Sequence, residues 1–130
     1  MFHFRTYQRN IIKEGTKRLS RLRIILLAME VRTGKTLTSL GIANNMNVSS
    51  VLFVTKKKAI SSIEADYKLL KPNYAIKVIN YESVHKITTN EFDLVIADES
   101  HCLGAFPKPS VRTKRIKEII ASKYCILLSG

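Results

Sequence analysis

Ala28-Met29-Glu30-Val31-Arg32-Thr33-Gly34-Lys35-Thr36 lies between two stretches of different character. Before it runs Arg23-Ile24-Ile25-Leu26-Leu27, with apolar residues at consecutive positions, which is the pattern of a parallel strand covered on both faces. After it come Leu37-Thr38-Ser39-Leu40-Gly41-Ile42-Ala43, which read as a helix. The quoted stretch is therefore a strand-to-helix turn. A Gly34-Lys35-Thr36 sequence there gathers three properties suited to phosphate: exposed amides at a helix N-terminus, an ammonium that reaches outer phosphates, and a hydroxyl able to ligate magnesium. Met29 stands where the strict motif has its first glycine, and an ordinary helix cap is the competing reading of these letters alone. Lys35 weighs against that competitor, because a cation at a helix N-terminus opposes the helix dipole.

Working outward, the remaining pattern alternates strands with helices. Phe4-Arg5-Thr6-Tyr7-Gln8 opens a helix with Tyr7, Ile11, Ile12, Gly15, Leu19 and Leu22 on one side and Arg9, Lys13, Lys17, Arg18 and Arg21 on the other. The helix after the phosphate turn fades near Asn44-Asn45-Met46-Asn47. Val51–Val54 is a second strand, and Ile60, Ile63, Tyr67 and Leu70 mark a helix stopped by Lys71-Pro72-Asn73. Tyr74–Ile79 and Phe92–Ala97 are further strands, Ile116, Ile119 and Ile120 mark another helix, and Tyr124–Leu128 is the last strand. The order predicts an α/β fold with a parallel sheet of about five or more strands flanked by helices. Ligands of such sheets sit beyond the carboxyl ends of the strands. That rule singles out Lys35 and Thr36, Thr55 and Lys56, Asn80 and Tyr81, Asp98 and Glu99, and Ser129.

Composition narrows the classes of partner. The chain has 130 residues, enough for one domain with a real core, at 45% hydrophobic and 25% charged residues. No stretch approaches the roughly 20 apolar residues of a membrane span, and the N-terminus lacks the features of a secretory signal, so the expectation is a soluble cytoplasmic protein. Lys and Arg number 22 against 10 Asp and Glu, a formal charge of +12, which favours a polyanion such as nucleic acid over a merely solvated surface. Cys102 and Cys125 are too far apart in sequence and too few to suggest a zinc site or a disulfide framework.

A second chemical pair completes the pattern. Leu94–Ala97 delivers Asp98 and Glu99 to the sheet edge, where one carboxylate can hold magnesium and the other can orient and deprotonate a water. An Asp-Glu pair alone is common and usually just solvated. Following a buried strand, in a chain that also carries Gly-Lys-Thr, it points to a nucleoside triphosphate site.

Together these residues resemble the first RecA-like lobe of superfamily 2 helicases and translocases, most closely the Swi/Snf-like DEAD/H-box group, with phage and bacterial members among the similar sequences. Phe4-Arg5-x-Tyr7-Gln8 looks like the adenine-reading motif, Ala28–Thr36 like motif I, and Asp98-Glu99-Ser100-His101 like motif II. Val51–Lys56 is similar to motif Ia, Ile79–Glu82 to motif Ib, and Leu127–Gly130 to the start of motif III. The resemblance implies an ATP and magnesium site. Gln8, Arg32, Thr33, Gly34, Lys35 and Thr36 would bind ATP, Thr36 and Asp98 would hold the ion, and Lys35, Asp98 and Glu99 would serve catalysis. Thr55, Lys56, Lys57, Asn80 and Tyr81 would meet nucleic acid, DNA more than RNA, with His101 and Ser129 coupling the two sites. Arg32 replaces a glycine of many members, and Ser100 replaces the alanine of Asp-Glu-Ala-His.

The implied organisation is a single lobe over residues 1–130, ending within motif III where the family continues into a second lobe. That lobe supplies arginine fingers worth on the order of a thousand-fold in turnover, so the lobe alone is expected to be nearly inactive. The alternative is a RecA-like nucleic-acid-binding or regulatory module that works without turnover.

Overall fold

The computed structural model describes residues 3–28, 34–81, 83, 92–98 and 124–129. The expected helix over Ile116–Ile120 lies outside them. Eight principal elements follow in chain order: α1 (Thr6–Leu22), β1 (Ile24–Ala28), α2 (Lys35–Asn45), β2 (Ser50–Thr55), α3 (Ile60–Leu70), β3 (Ala75–Asn80), β4 (Leu94–Ala97) and β5 (Tyr124–Ser129). The five strands form one sheet in the order β1-β5-β4-β2-β3, and every pairing is parallel. The fold is α/β, consistent with a RecA-like domain, as the alternation predicts.

The helices lie against the sheet because their apolar stripes have nowhere else to go. Ile12 and Leu19 of α1, Leu40 and Ile42 of α2 and Ile63 of α3 join Val51, Phe53, Leu94, Ile96, Ile126 and Leu128 in one buried cluster. α1 crosses α2 closely at two glycines. A Cβ on Gly15 would stand 2.7 Å from Ile42 Cδ1, and one on Gly41 would stand 2.7 Å from Ile12 Cδ1. Tyr74, at the entrance to β3, ties α2 down by donating its hydroxyl to Leu40 O at 2.9 Å. Burial, with Tyr67 beside it, raises the Tyr74 hydroxyl pKa well above its ordinary value.

On the other face Leu52, Val54, Ile79, Phe92 and Val95 form a second, smaller cluster, with Tyr81 packed against it. β2 is thus covered on both faces, as its unbroken apolar run requires. β1 corrects the same expectation. Ile25 and Leu27 join the helix-covered cluster, whereas Ile24 is 46% and Leu26 60% exposed. β1 is an edge strand, paired only with β5 among the described residues, and one of its faces has no described neighbour to bury it.

α1 is also turned slightly from its sequence reading. Its buried residues are Gln8, Ile12, Gly15 and Leu19, while Tyr7 and Leu22 are exposed. A polar residue occupies the inward position of the first turn, for a reason that belongs to the site. Among the described residues no helix is long and apolar enough to cross a membrane.

Candidate nucleotide site

The carboxyl ends of all five strands meet at one edge of the sheet. Register places Ala28 beside Ser129, Leu127 beside Ala97, Val54 beside Ala97, and Thr55 beside Asn80. Beyond β1 the chain re-enters the described structure at Gly34, the residue preceding α2, with φ +72°. That left-handed conformation is one glycine adopts without the Cβ clash of other residues. There is a second reason for glycine there: a Cβ on Gly34 would collide with Gln8 Nε2. Gln8 therefore reaches from the first turn of α1 to the phosphate turn. Its Oε1 accepts the Arg5 N–H at 2.9 Å, closing that turn in the manner of a capping box. This contact explains why Gln8, 6% exposed, takes the inward position that the sequence pattern gave to Tyr7.

α2 begins with Lys35 and Thr36, and its first turn is tightened by Thr38, whose hydroxyl donates to Gly34 O at 2.9 Å. Lys35 reaches across β5 to the end of β4, where its Nζ lies 3.7 Å from Asp98 Oδ1. The two side chains are only 14% and 13% exposed, so this pair is largely withdrawn from water.

Asp98 is held from three directions. Its N–H donates to Val54 O at 2.8 Å, its carbonyl accepts the Tyr81 hydroxyl, and its Oδ2 accepts the Thr55 hydroxyl at 3.1 Å. The remaining oxygen, Oδ1, is buried and has no hydrogen-bond partner among the described residues. A buried acceptor without a partner is costly and uncommon in folded proteins. At 3.7 Å the ammonium compensates its charge but lies beyond hydrogen-bond range. The arrangement leaves one fixed carboxylate oxygen aimed at the start of α2 and able to accept a donor or a cation.

The other site residues read from sequence have differing surroundings. Thr55, expected at the nucleic-acid face, is wholly buried, and its hydroxyl orients Asp98. The Asn80 amide oxygen accepts the Ser83 N–H at 3.0 Å, a local turn contact. Tyr81 is half-buried, with its hydroxyl on the Asp98 carbonyl. Lys56 and Lys57 are exposed just beyond β2, on the same edge as Lys35 and Asp98. Ser129 ends β5 with its backbone paired to Ala28. Arg32, Thr33, Glu99 and His101 lie outside the described residues. The support that Thr55 and Tyr81 give Asp98 was not read from sequence. Its only signal there was their position at strand ends, shared with many residues that do nothing.

Cys125 is buried in β5, and burial pushes its thiol up to about 12. Among the described residues no group of three or more His, Cys, Asp and Glu side chains is placed to hold a metal. A cation at this edge would therefore depend on Asp98, the Thr36 hydroxyl and a ligand's own oxygens, the way magnesium commonly binds with a nucleotide.

No family model matches the sequence, and no curated protein matches it. Among solved structures, the chain is similar to a nuclease-deletion mutant of the Type ISP restriction-modification enzyme LlaGI in complex with a DNA substrate mimic. The TM-score is 0.71 at 15% identity, with 99% of this chain and 17% of that chain covered. The chain thus spans less than a fifth of that enzyme's length, and at this identity the likeness concerns the fold.

Proposed function

We propose that the chain is the N-terminal, ATP-binding RecA-like lobe of a superfamily 2 helicase or translocase of the Swi/Snf-like group, acting on DNA. The observation that carries the reading is Asp98: pinned at its N–H, its carbonyl and Oδ2, with Oδ1 left beside Lys35 at the start of α2. A structural ion pair would gain from closing to hydrogen-bond distance. A carboxylate kept fixed and incompletely satisfied suits a site whose missing partner is a ligand.

The residues present fit magnesium-ATP. Thr36 and Asp98 would hold the ion, which supplies charge neutralisation between the outer phosphates. Lys35 would exchange Asp98 for phosphate oxygens, and the amides at the start of α2 would face the same anion. Gly34 lets the turn approach closely, and Gln8 fixes the turn from behind, so that adenine recognition by Gln8 would require its carboxamide to share its present contacts. Glu99 would orient the attacking water. Lys56 and Lys57, exposed on the same edge, would meet the nucleic-acid backbone, and the DNA substrate mimic in the LlaGI complex supports the choice of polymer.

The test is titration of the chain with magnesium-ATP by calorimetry. Wild type is expected to bind and Lys35→Ala to lose at least ten-fold in affinity, with Thr36→Val weakened only when magnesium is present. Equal binding by wild type and Lys35→Ala would remove the site. Turnover by the chain alone should stay far below the roughly 1–100 per second of complete phosphoryl-transfer enzymes.

A further inference from the structure

The outer surface of α1 carries a regular feature that the nucleotide site does not use. Arg5, Arg9, Lys13, Lys17 and Arg21 follow one another at intervals of four residues, and all five are exposed. Each step rises about 6 Å along the helix and turns about 40° around it, so the cations form one stripe about 24 Å long. The stripe winds across the solvent side, away from buried Gln8, Ile12, Gly15 and Leu19. It starts at the edge that holds Lys35 and Asp98 and ends at the opposite edge, where α1 leads into β1.

The helix does not neutralise this charge. Its single acid, Glu14, lies 3.0 Å from Arg18, and none of the five stripe cations makes an ion pair among the described residues. The first turn has no acidic residue, so Arg5 and Arg9 also face the positive end of the helix dipole. Like charges at four-residue spacing repel along the whole length. A polyanion laid along the stripe relieves both terms at once.

From this geometry we infer that the outer face of α1 is a second nucleic-acid contact, for the phosphate backbone of duplex DNA, separate from Lys56 and Lys57. A duplex backbone is a closely spaced line of phosphates that winds about its axis, so a winding stripe about 24 Å long can meet several of them. On one flank Arg9 and Lys13 also line an open groove of about 430 Å³ between α1 and α2, together with Phe4, Ile12 and Thr16. An anionic lipid surface fits less well, because a helix lying in a membrane interface must bury its apolar face there, and that of α1 is already packed on α2. The contact needs no nucleotide and does not rest on the ATP reading.

The test compares the chain with a Lys13→Gln/Lys17→Gln/Arg21→Gln variant, binding a fluorescein-labelled duplex of about 30 base pairs at several KCl concentrations without nucleotide. If three phosphate contacts are lost, the slope of log affinity against log salt becomes shallower by nearly three. Lys56→Gln/Lys57→Gln should remove a further, additive share, as contacts at separate sites do. Circular dichroism would establish that the variants fold. An unchanged slope and affinity in the folded triple variant overturns the inference. So does a stripe-dependent preference for phosphatidylserine vesicles over the duplex. Because the titration contains no nucleotide, failure of the ATP reading leaves the expected change of slope as it is, so the two readings fail separately.

Discussion

Asp93 stands just before β4 and Asp98 just after it, and their surroundings are opposite. Asp93 is exposed at the amino edge of the sheet, where its Oδ2 accepts the Ser49 N–H at 2.8 Å and clasps the entrance of β2. Asp98 is buried at the carboxyl edge, anchored by Val54, Tyr81 and Thr55, and among the described residues one of its oxygens has no hydrogen-bond partner. The first carboxylate finishes a structure that water could also have finished. The second is largely withdrawn from water, and the described residues supply only part of what it needs. A four-residue strand thus separates a carboxylate completed by the fold from one that, on the reading proposed above, a ligand completes.

The largest effect that can break this contrast lies in the Lys35–Asp98 pair. Lys35→Ala strands a short, immobile carboxylate in a buried place, and should lower unfolding free energy by about 3 kcal/mol at neutral pH. Asp98→Ala should cost much less, because the lysine stem can swing its ammonium into water. Replacing both together, by Lys35→Met and Asp98→Leu, should recover most of the loss. At the other end of β4, Asp93→Ala removes a solvent-exposed hydrogen bond and should cost about 1 kcal/mol or less. Urea unfolding of this set measures the difference. Equal costs for Lys35→Ala and Asp93→Ala would erase the distinction between the two edges.

The smallest effect sharpens the contrast with a third carboxylate. Asp66, on α3, is raised above its ordinary value of 3.8 by burial. Its folded form therefore holds its proton more tightly than the unfolded chain does. The stability associated with that proton is complete below the unfolded value and is lost as pH rises through the folded one. Asp66→Asn should match wild type at acid pH and exceed it in melting temperature at pH 7. A variant less stable than wild type at pH 7 would mean that Asp66, like Asp98, has a partner that favours its charge.

Much of this arrangement was legible in the chain itself. Consecutive apolar residues at Val51–Val54 and Leu94–Ala97 announced strands covered on both faces, and both are. Lys35 and Asp98 were readable as neighbours because each follows a strand, and parallel topology sends strand ends to one edge. What stayed hidden depended on contacts between distant parts of the chain. Ile24 and Leu26 have the same letters as a buried strand, and only the sheet order reveals that β1 is outermost. Thr55 is polar and ends a strand, which suggests an outward contact, yet the neighbouring Asp98 draws it inward. The burial of Gln8 has no signal in the helical pattern, because it depends on the distant glycine at position 34, which leaves a hollow that the Gln8 side chain fills.

Among the described residues β1 has a free outer edge and one uncovered face, which bears on how the protein behaves as a material. An apolar outer strand with an unpaired row of amides and carbonyls is a template on which another chain can add its own strand. A net charge of +12 keeps such chains apart in dilute buffer, but about 0.1 M salt confines that repulsion to some 10 Å. Salt that washes nucleic acid from the protein thereby also removes what holds its copies apart, so the cleanest preparation is the one most inclined to stack.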